Sequence, residues 1–317
     1  MAMKTLQKTL IICFFTVSIC AESQVLPPPP PPPPPAPGSG HVSRADSLLT
    51  AGSIALAIEE YRAMYNQNRN DSRIIYNYAC ALSLAGQADS SLYYLSKLIV
   101  LEPSVSILTD PDFLAVRESK GWMDFEIDLI IALNEKSGNL IKDAAYAREL
   151  WRLLCLDQYG FYETGIAVRN LGPGSPVVTA LRRMQSLQNE KNLEKLAILL
   201  EIKGWPEISQ VGSKASEAAF YVLQHSNAIA QEKYIRLFEA ACRKGEGNWQ
   251  QYALMFDRMR MNQNLPQKYG THFILDNRAT GEKKLYPLED ETRVNEWRKE
   301  IGLEPLKDYM TRTGIIK

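Results

Sequence analysis

Between Ser43 and Pro103 the apolar positions of the chain repeat with a 34-residue period: Ala45 is matched by Ala79, Leu48 by Leu82, Gly52 by Gly86, Tyr61 by Leu95 and Met64 by Leu98. A repeat of that length predicts stacked helix pairs. Small residues at Ala45, Gly52, Ala79 and Gly86 let two helices approach at their turn, and the larger apolar positions fill the space between pairs. Two units bury too little alone, since such arrays need about three. The stretch Asp110, Pro111, Asp112, Phe113, continuing through Val116, Arg117, Trp122, Phe125, Ile127, Leu129 and Ile130, supplies a partial third unit that caps them. Repeats and cap together occupy residues 43–135.

Beyond Lys136 the 34-residue period stops and longer stretches of 3.6-residue periodicity begin. They predict helices over 143–159, 177–202, 213–230, 231–244 and 249–262. Gly204, Trp205 and Pro206 end one helix, and Ser213 is placed to cap the next. From His272 to Pro287 the pattern is that of a hairpin: Phe273 and Ile274, a turn around Asn277 to Gly281, then Leu285 and Tyr286. A last helix runs from Asp290 to Gly302. The fold class expected is therefore mainly α, a short α-solenoid packed on a helical domain (136–317) with one small β-hairpin.

The first 42 residues carry address information rather than fold. Lys4 and Lys8 precede the apolar run from Leu10 to Val17, and small residues follow at Ser18 and Ala21, the pattern of an export signal over residues 1–23. The run is shorter than the ~20 residues that span a bilayer, so the mature chain is expected to have no transmembrane span. Ile19 before Cys20 argues against a lipoprotein, where a small residue belongs. Pro27 to Pro35 then form a stiff polyproline rod of about 28 Å, and Gly38, Ser39 and Gly40 a flexible joint, giving a linker over 24–42. The expected address is the periplasm or cell envelope. Once the signal is removed, Cys80, Cys155 and Cys242 remain, too few and too widely spaced for a disulfide framework or a zinc motif.

Three ionisable residues fall on apolar stripes in the C-terminal half. His225 continues the stripe Ala215, Ala218, Ala219, Val222 and Ile229, Asp157 follows Leu150, Leu153 and Leu154, and Asp257 lies one turn after Ala253. A carboxylate facing a core needs a partner, and a neutral imidazole needs both nitrogens accounted for. Asp157, His225, Asp257 and Arg258 are therefore expected to meet. Two readings stand: a buried polar network that registers the helices, or an acid/base cluster at the floor of a cleft. In the second, His225 is the general base, Asp157 or Asp257 orients it, and Arg258 or Gln224 stabilises negative charge. Trp205, Gln267, Tyr269 and Thr271 are the candidate ligand-binding rim.

Ala79, Leu82, Gly86, Leu95, Leu98 and Pro103 resemble the second copy of a tetratricopeptide array, with Arg69 replacing the closing proline of the first copy and Ser91 a small alanine. The elements Asp157-Gln158, Gly204-Trp205-Pro206, Gly212, Gln224-His225, Asp257-Arg258, Gln267 and Tyr269-Gly270-Thr271, closing with Arg298 and Gly302-Leu303, resemble a bacterial family of uncharacterised domains across Lys136 to Tyr309. That resemblance implies positions but no activity, and His272 departs from it where glutamine is usual.

Charge and templates narrow the classes. Basic and acidic residues number 36 each, so no global field favours nucleic acid. With His41, His225 and His272 as the only histidines, a histidine-rich metal site is not expected, nor is any cofactor, and no H-E-x-x-H, G-x-S-x-G or P-loop motif is present. The leading expectation is an exported interaction or scaffolding protein that binds a protein or peptide through its repeats. The alternative is a hydrolase, lyase or small-ligand receptor using the His/Asp/Arg cleft.

Overall fold

The structure, a computed structural model, describes residues 43–138, 141–277 and 282–316. The export segment, the proline rod and most of the hairpin turn (Arg278 to Gly281) lie outside the described residues. The N-terminal helices are α1 (Arg44–Thr50), α2 (Ile54–Gln67), α3 (Ser72–Leu84), α4 (Ala88–Leu101) and α5 (Trp122–Ser137). Ile54, Ala88 and Trp122 open α2, α4 and α5 at successive 34-residue steps, so the sequence period is realised as a period of helices. The turns between paired helices fall at Gly52 and Gly86, whose φ values of 77° and 73° suit glycine. Three short 3-10 turns between Val105 and Glu118 stand where a first helix of a third pair would be.

C-terminal to these follow α6 (Ala144–Gln158), α7 (Phe161–Leu171), α8 (Pro176–Lys203), α9 (Ile208–Val211), α10 (Ser213–Gln224), α11 (Ala228–Arg243) and α12 (Trp249–Asn262). Strands β1 (Phe273–Asn277) and β2 (Glu282–Leu285) form the expected hairpin, with Phe273 opposite Leu285. Helices α13 (Val294–Glu300) and α14 (Leu306–Thr313) precede β3 (Ile315–Ile316), which adds to β2 in parallel. The protein is mainly α, and among the described residues no helix is long and apolar enough to cross a membrane.

One helix boundary differs from expectation in a way that matters. The stripe from Ser213 predicts a helix to residue 230, but the helix stops at Gln224 and a new one starts at Ala228. Asn227 is the cause: its side chain accepts from the Ala230 N–H and caps α11. Ile229, assigned to the buried stripe, is consequently 79% exposed, and His225 becomes the residue that ends α10 rather than a member of its face.

The main core draws on both halves of the chain. It joins Ile75, Leu95, Phe113 and Trp122 to Leu150, Trp151, Ala219, Phe238 and Trp297 in one buried cluster. A second cluster around Ala57, Tyr61, Tyr78 and Leu82 fastens the first helix pair to the next. The Asp110–Phe113 turn is tied into this arrangement. Phe113 is fully buried and meets Tyr76 edge-on, while Tyr76 donates its hydroxyl to Asp110 at 2.6 Å.

Burial there, with Asp110 and Glu163 nearby, pushes the Asp112 carboxyl up to about 7 from 3.8. An acid whose pKa is higher folded than unfolded contributes its stabilisation below the unfolded value and loses it as pH rises through the folded one. Stability is therefore expected to fall between pH 4 and 7, and Asp112→Asn to flatten that slope. In urea unfolding, the variant should exceed wild type by about 1–2 kcal/mol at pH 8, once solvent screening is allowed for, with the difference shrinking by pH 5. Parallel pH profiles for the two proteins would refute this.

Candidate functional site

Helices α6 and α10 pack against each other in the main core. Alanines at 215, 218 and 219 permit the close approach, and it brings the end of α6 to the end of α10. There His225 Nδ1 lies 2.9 Å from Asp157 Oδ1 and 3.0 Å from Oδ2. Asp157 is sealed from solvent, whereas the His225 side chain keeps 10% of its surface exposed. Because the carboxylate can only accept, Nδ1 carries a proton, and in the neutral ring Nε2 presents its lone pair. No hydrogen bond from Nε2 to a described residue exists. Gln158 Nε2 donates to Asp157 Oδ2 at 2.7 Å, and the Phe161 ring flanks the imidazole with centroids 5.1 Å apart.

The end of α10 is held by a residue that the periodicity does not mark. Gln231 of α11 is fully buried, and its Nε2 donates to the carbonyls of Leu223, Gln224 and Ser226 at 3.0, 3.3 and 3.4 Å. Asn262 of α12 in turn donates to Gln231 Oε1 at 3.1 Å. A side-chain amide thus satisfies carbonyls that the helix end leaves open, and it fixes where His225 sits. The only sequence signal was a glutamine beside Ala230 and one turn before Tyr234 and Ile235 on an apolar stripe.

Asp257 does a different job from the one expected. Its carboxylate is fully buried and accepts from the backbone N–H groups of Lys268 (2.8 Å), Tyr269 (3.0 Å) and Thr271 (3.1 Å) and from the Thr271 hydroxyl (2.9 Å). Burial raises its pKa, and these donors pull in the opposite direction. No hydrogen bond or ion pair joins Asp257 to His225 or Asp157 among the described residues. The expected four-residue cluster is therefore two: Asp157 with His225, and Asp257 with the loop 267–272.

Within that loop Gln267, fully buried, works as a backbone substitute. Its Oε1 accepts from the His272 N–H at 2.9 Å and its Nε2 donates to the carbonyls of His272 and Tyr286. The His272 ring is buried, and burial followed by the nearby Arg258 charge holds its pKa well below the usual value. It is neutral. The Thr271 hydroxyl donates to Asp257, so at 2.8 Å it accepts from His272 Nδ1–H, leaving Nε2 to face Gln224 Nε2 at 3.4 Å. Gln224 thereby links the loop to the residue beside His225.

The remaining candidates divide. Tyr269 is buried, and its carbonyl accepts from Arg298 Nη1 at 2.6 Å, so the pair braces the loop. Trp205 stacks on Phe238 with centroids 4.0 Å apart and lines a cleft of about 340 Å³ with Tyr146, Lys203 and Lys244. Thr271 lines another, of about 230 Å³, with Arg298, Glu304 and Tyr309. Trp205 and the loop do not form one rim. Arg258 is 6% exposed and forms no hydrogen bond or ion pair with a described residue, and its buried Nε is unsatisfied. Elsewhere Cys80, Asp110 and Asp112 bring ligand atoms within 4.8 Å of one another. The Asp110 oxygens are already taken by Tyr76 and the Asp112 N–H, so that trio is a hydrogen-bonded turn.

A family model described as a family of unknown function (DUF6624) matches residues 166–314. The matched stretch runs from α7 to the end of α14 and contains Gln224, His225, Asp257, Arg258 and the 267–272 loop. It begins later than the resemblance from Lys136 implied, so Asp157 and all of α1 to α6 lie outside it. No curated protein and no solved structure matches the chain.

Proposed function

We propose that the C-terminal half is a hydrolase in which His225 acts as general base. The observation that supports this reading is the asymmetry of the pair: a sealed carboxylate on Nδ1 and an unpartnered Nε2 at a partly exposed edge. In the reaction Nε2 takes a proton from water as the water oxygen bonds to an electrophilic carbonyl or phosphoryl centre. The bond to the leaving oxygen breaks, and the imidazolium returns the proton to it. Asp157 stabilises the imidazolium across 2.9 Å.

The test is turnover of p-nitrophenyl carboxylate and phosphate esters by the full chain, as wild type and as His225→Ala, from pH 5 to 9. The expected result is a loss of about 10²–10⁴-fold in the variant. Equal turnover by the two proteins would reject the assignment.

A second reading applies to the helix pairs, which the 34-residue spacing of α2, α4 and α5 favours as tetratricopeptide-like. In it they dock a protein or peptide, and Met123, Ile127 and Ile131, exposed at 52, 42 and 52% along one side of α5, supply an apolar contact stripe. Under this proposal both activities belong to the cell envelope, a reading supported by the export-signal pattern of residues 1–23 and the proline linker.

A further inference from the structure

We infer that Arg258 is an anion-binding residue, and that the ligand it takes is a small oxyanion that also carries a hydroxyl, such as a hydrogen phosphate group. As an account of what the His225 site acts on, this rests on the hydrolase reading; as an account of binding it stands alone. Two buried arginines in the same half of the chain make the case by contrast. Arg298, 2% exposed, donates Nε to the Glu304 carbonyl and Nη1 to the Tyr269 carbonyl, both at 2.6 Å. Arg258, 6% exposed, donates to nothing among the described residues, and its Nε is sealed without an acceptor.

A buried cation must be compensated, because desolvation of a charge costs far more than a missing neutral hydrogen bond. The neighbours do not compensate it. His272 is neutral and turns its protonated nitrogen to Thr271. Asp257, next in sequence, spends its oxygens on the 268–271 backbone and the Thr271 hydroxyl. Burial lowers the Arg258 pKa to about 10, with no carboxylate acting against it. An anion is the group that would compensate it.

A second orphan specifies more. Gln224 Oε1 is also buried without a partner, while its Nε2 faces His272. Gln224 lies against the His272 ring at 3.4 Å and the Arg258 charge acts on the same ring; one orphan is an unsatisfied donor and the other an unsatisfied acceptor. A ligand that offers an oxyanion to Arg258 and a hydroxyl to Gln224 satisfies both. Monohydrogen phosphate has that combination; sulfate has the same shape and no proton to give. Guanidinium suits such a group through its forked donors.

The test is calorimetric titration of the full chain with inorganic phosphate and with sulfate at pH 7.5 and fixed ionic strength, for wild type, Arg258→Met and Arg258→Lys. Saturable phosphate binding is expected, with sulfate weaker and Arg258→Met weaker by about 10–100-fold. Arg258→Lys should keep part of the affinity. In anion-free buffer Arg258→Met should melt at or above the wild-type temperature, since it removes an uncompensated charge. Equal binding by wild type and Arg258→Met, equal binding of phosphate and sulfate, or a lowered melting temperature for Arg258→Met would each overturn the inference. Binding is read without turnover, so loss of the hydrolase reading leaves this result interpretable.

Discussion

Asp257→Ala is expected to destabilise the protein by about 3–5 kcal/mol, because it strips the acceptor from a set of buried donors at once. The N–H groups of Lys268, Tyr269 and Thr271 and the Thr271 hydroxyl converge on one carboxylate. Each buried donor left unsatisfied costs about 1–3 kcal/mol, partly recovered as the loop relaxes toward solvent. Asp257→Asn keeps one accepting oxygen and should cost less than Asp257→Ala, although its NH₂ group meets backbone donors at the other position. Urea unfolding measures the loss, and amide exchange at 268, 269 and 271 should accelerate first. Wild-type stability in Asp257→Ala would show that the loop is held by Gln267 and Arg298 instead, and would return Asp257 to the list of groups free for chemistry.

The contrast between Asp257 and Asp157 shows what periodicity carries and what it does not. Both were identified as inward-facing from their stripes, and both are buried at 1% or less. Their partners were not legible, because a stripe gives direction along one helix and nothing about which loop or helix arrives there. Asp257 meets backbone donors eleven to fourteen residues later in a turn, and a turn's N–H directions depend on φ and ψ that composition does not fix. The 34-residue period was legible for the opposite reason: it is a property of the chain alone, and α2, α4 and α5 follow it.

The end of α10 is where the apolar stripe misleads most, since the helix stops at Gln224. Ile229 supplied a false continuation of the stripe across Asn227, although asparagine is among the strongest helix-capping residues. Placing the break there moves His225 from the interior of a helix to its end, where one nitrogen is buried and the other free. Gln231 and His272 escaped for a related reason. Each is a polar residue whose role is to satisfy backbone or side-chain groups brought in from other elements, so its signal exists only after folding.

Asp157→Asn is the substitution that separates the two accounts of the pair, with an expected loss of about 10²–10⁴-fold in turnover and little loss of stability. Gln158 Nε2 donates to the Oδ2 position at 2.7 Å, which pins the amide oxygen there. The new NH₂ group then occupies the Oδ1 position, 2.9 Å from His225 Nδ1. That NH₂ opposes the Nδ1 proton, against an amide oxygen 3.0 Å away at the Oδ2 position; when the NH₂ contact prevails, Nδ1 gives up its proton and becomes the acceptor, and the proton moves to Nε2. The base is then blocked at the edge where water would be activated, yet the hydrogen bond between the residues survives in reverse. A structural pair tolerates that reversal, because its contribution is the contact itself; a catalytic pair does not, because its contribution is the lone pair on Nε2. Ring ¹⁵N shifts of His225 report the tautomer directly. A variant that shows the switched tautomer and wild-type turnover would rule out His225 as the base, whereas switched tautomer, retained stability and lost turnover are the joint outcome the hydrolase reading predicts.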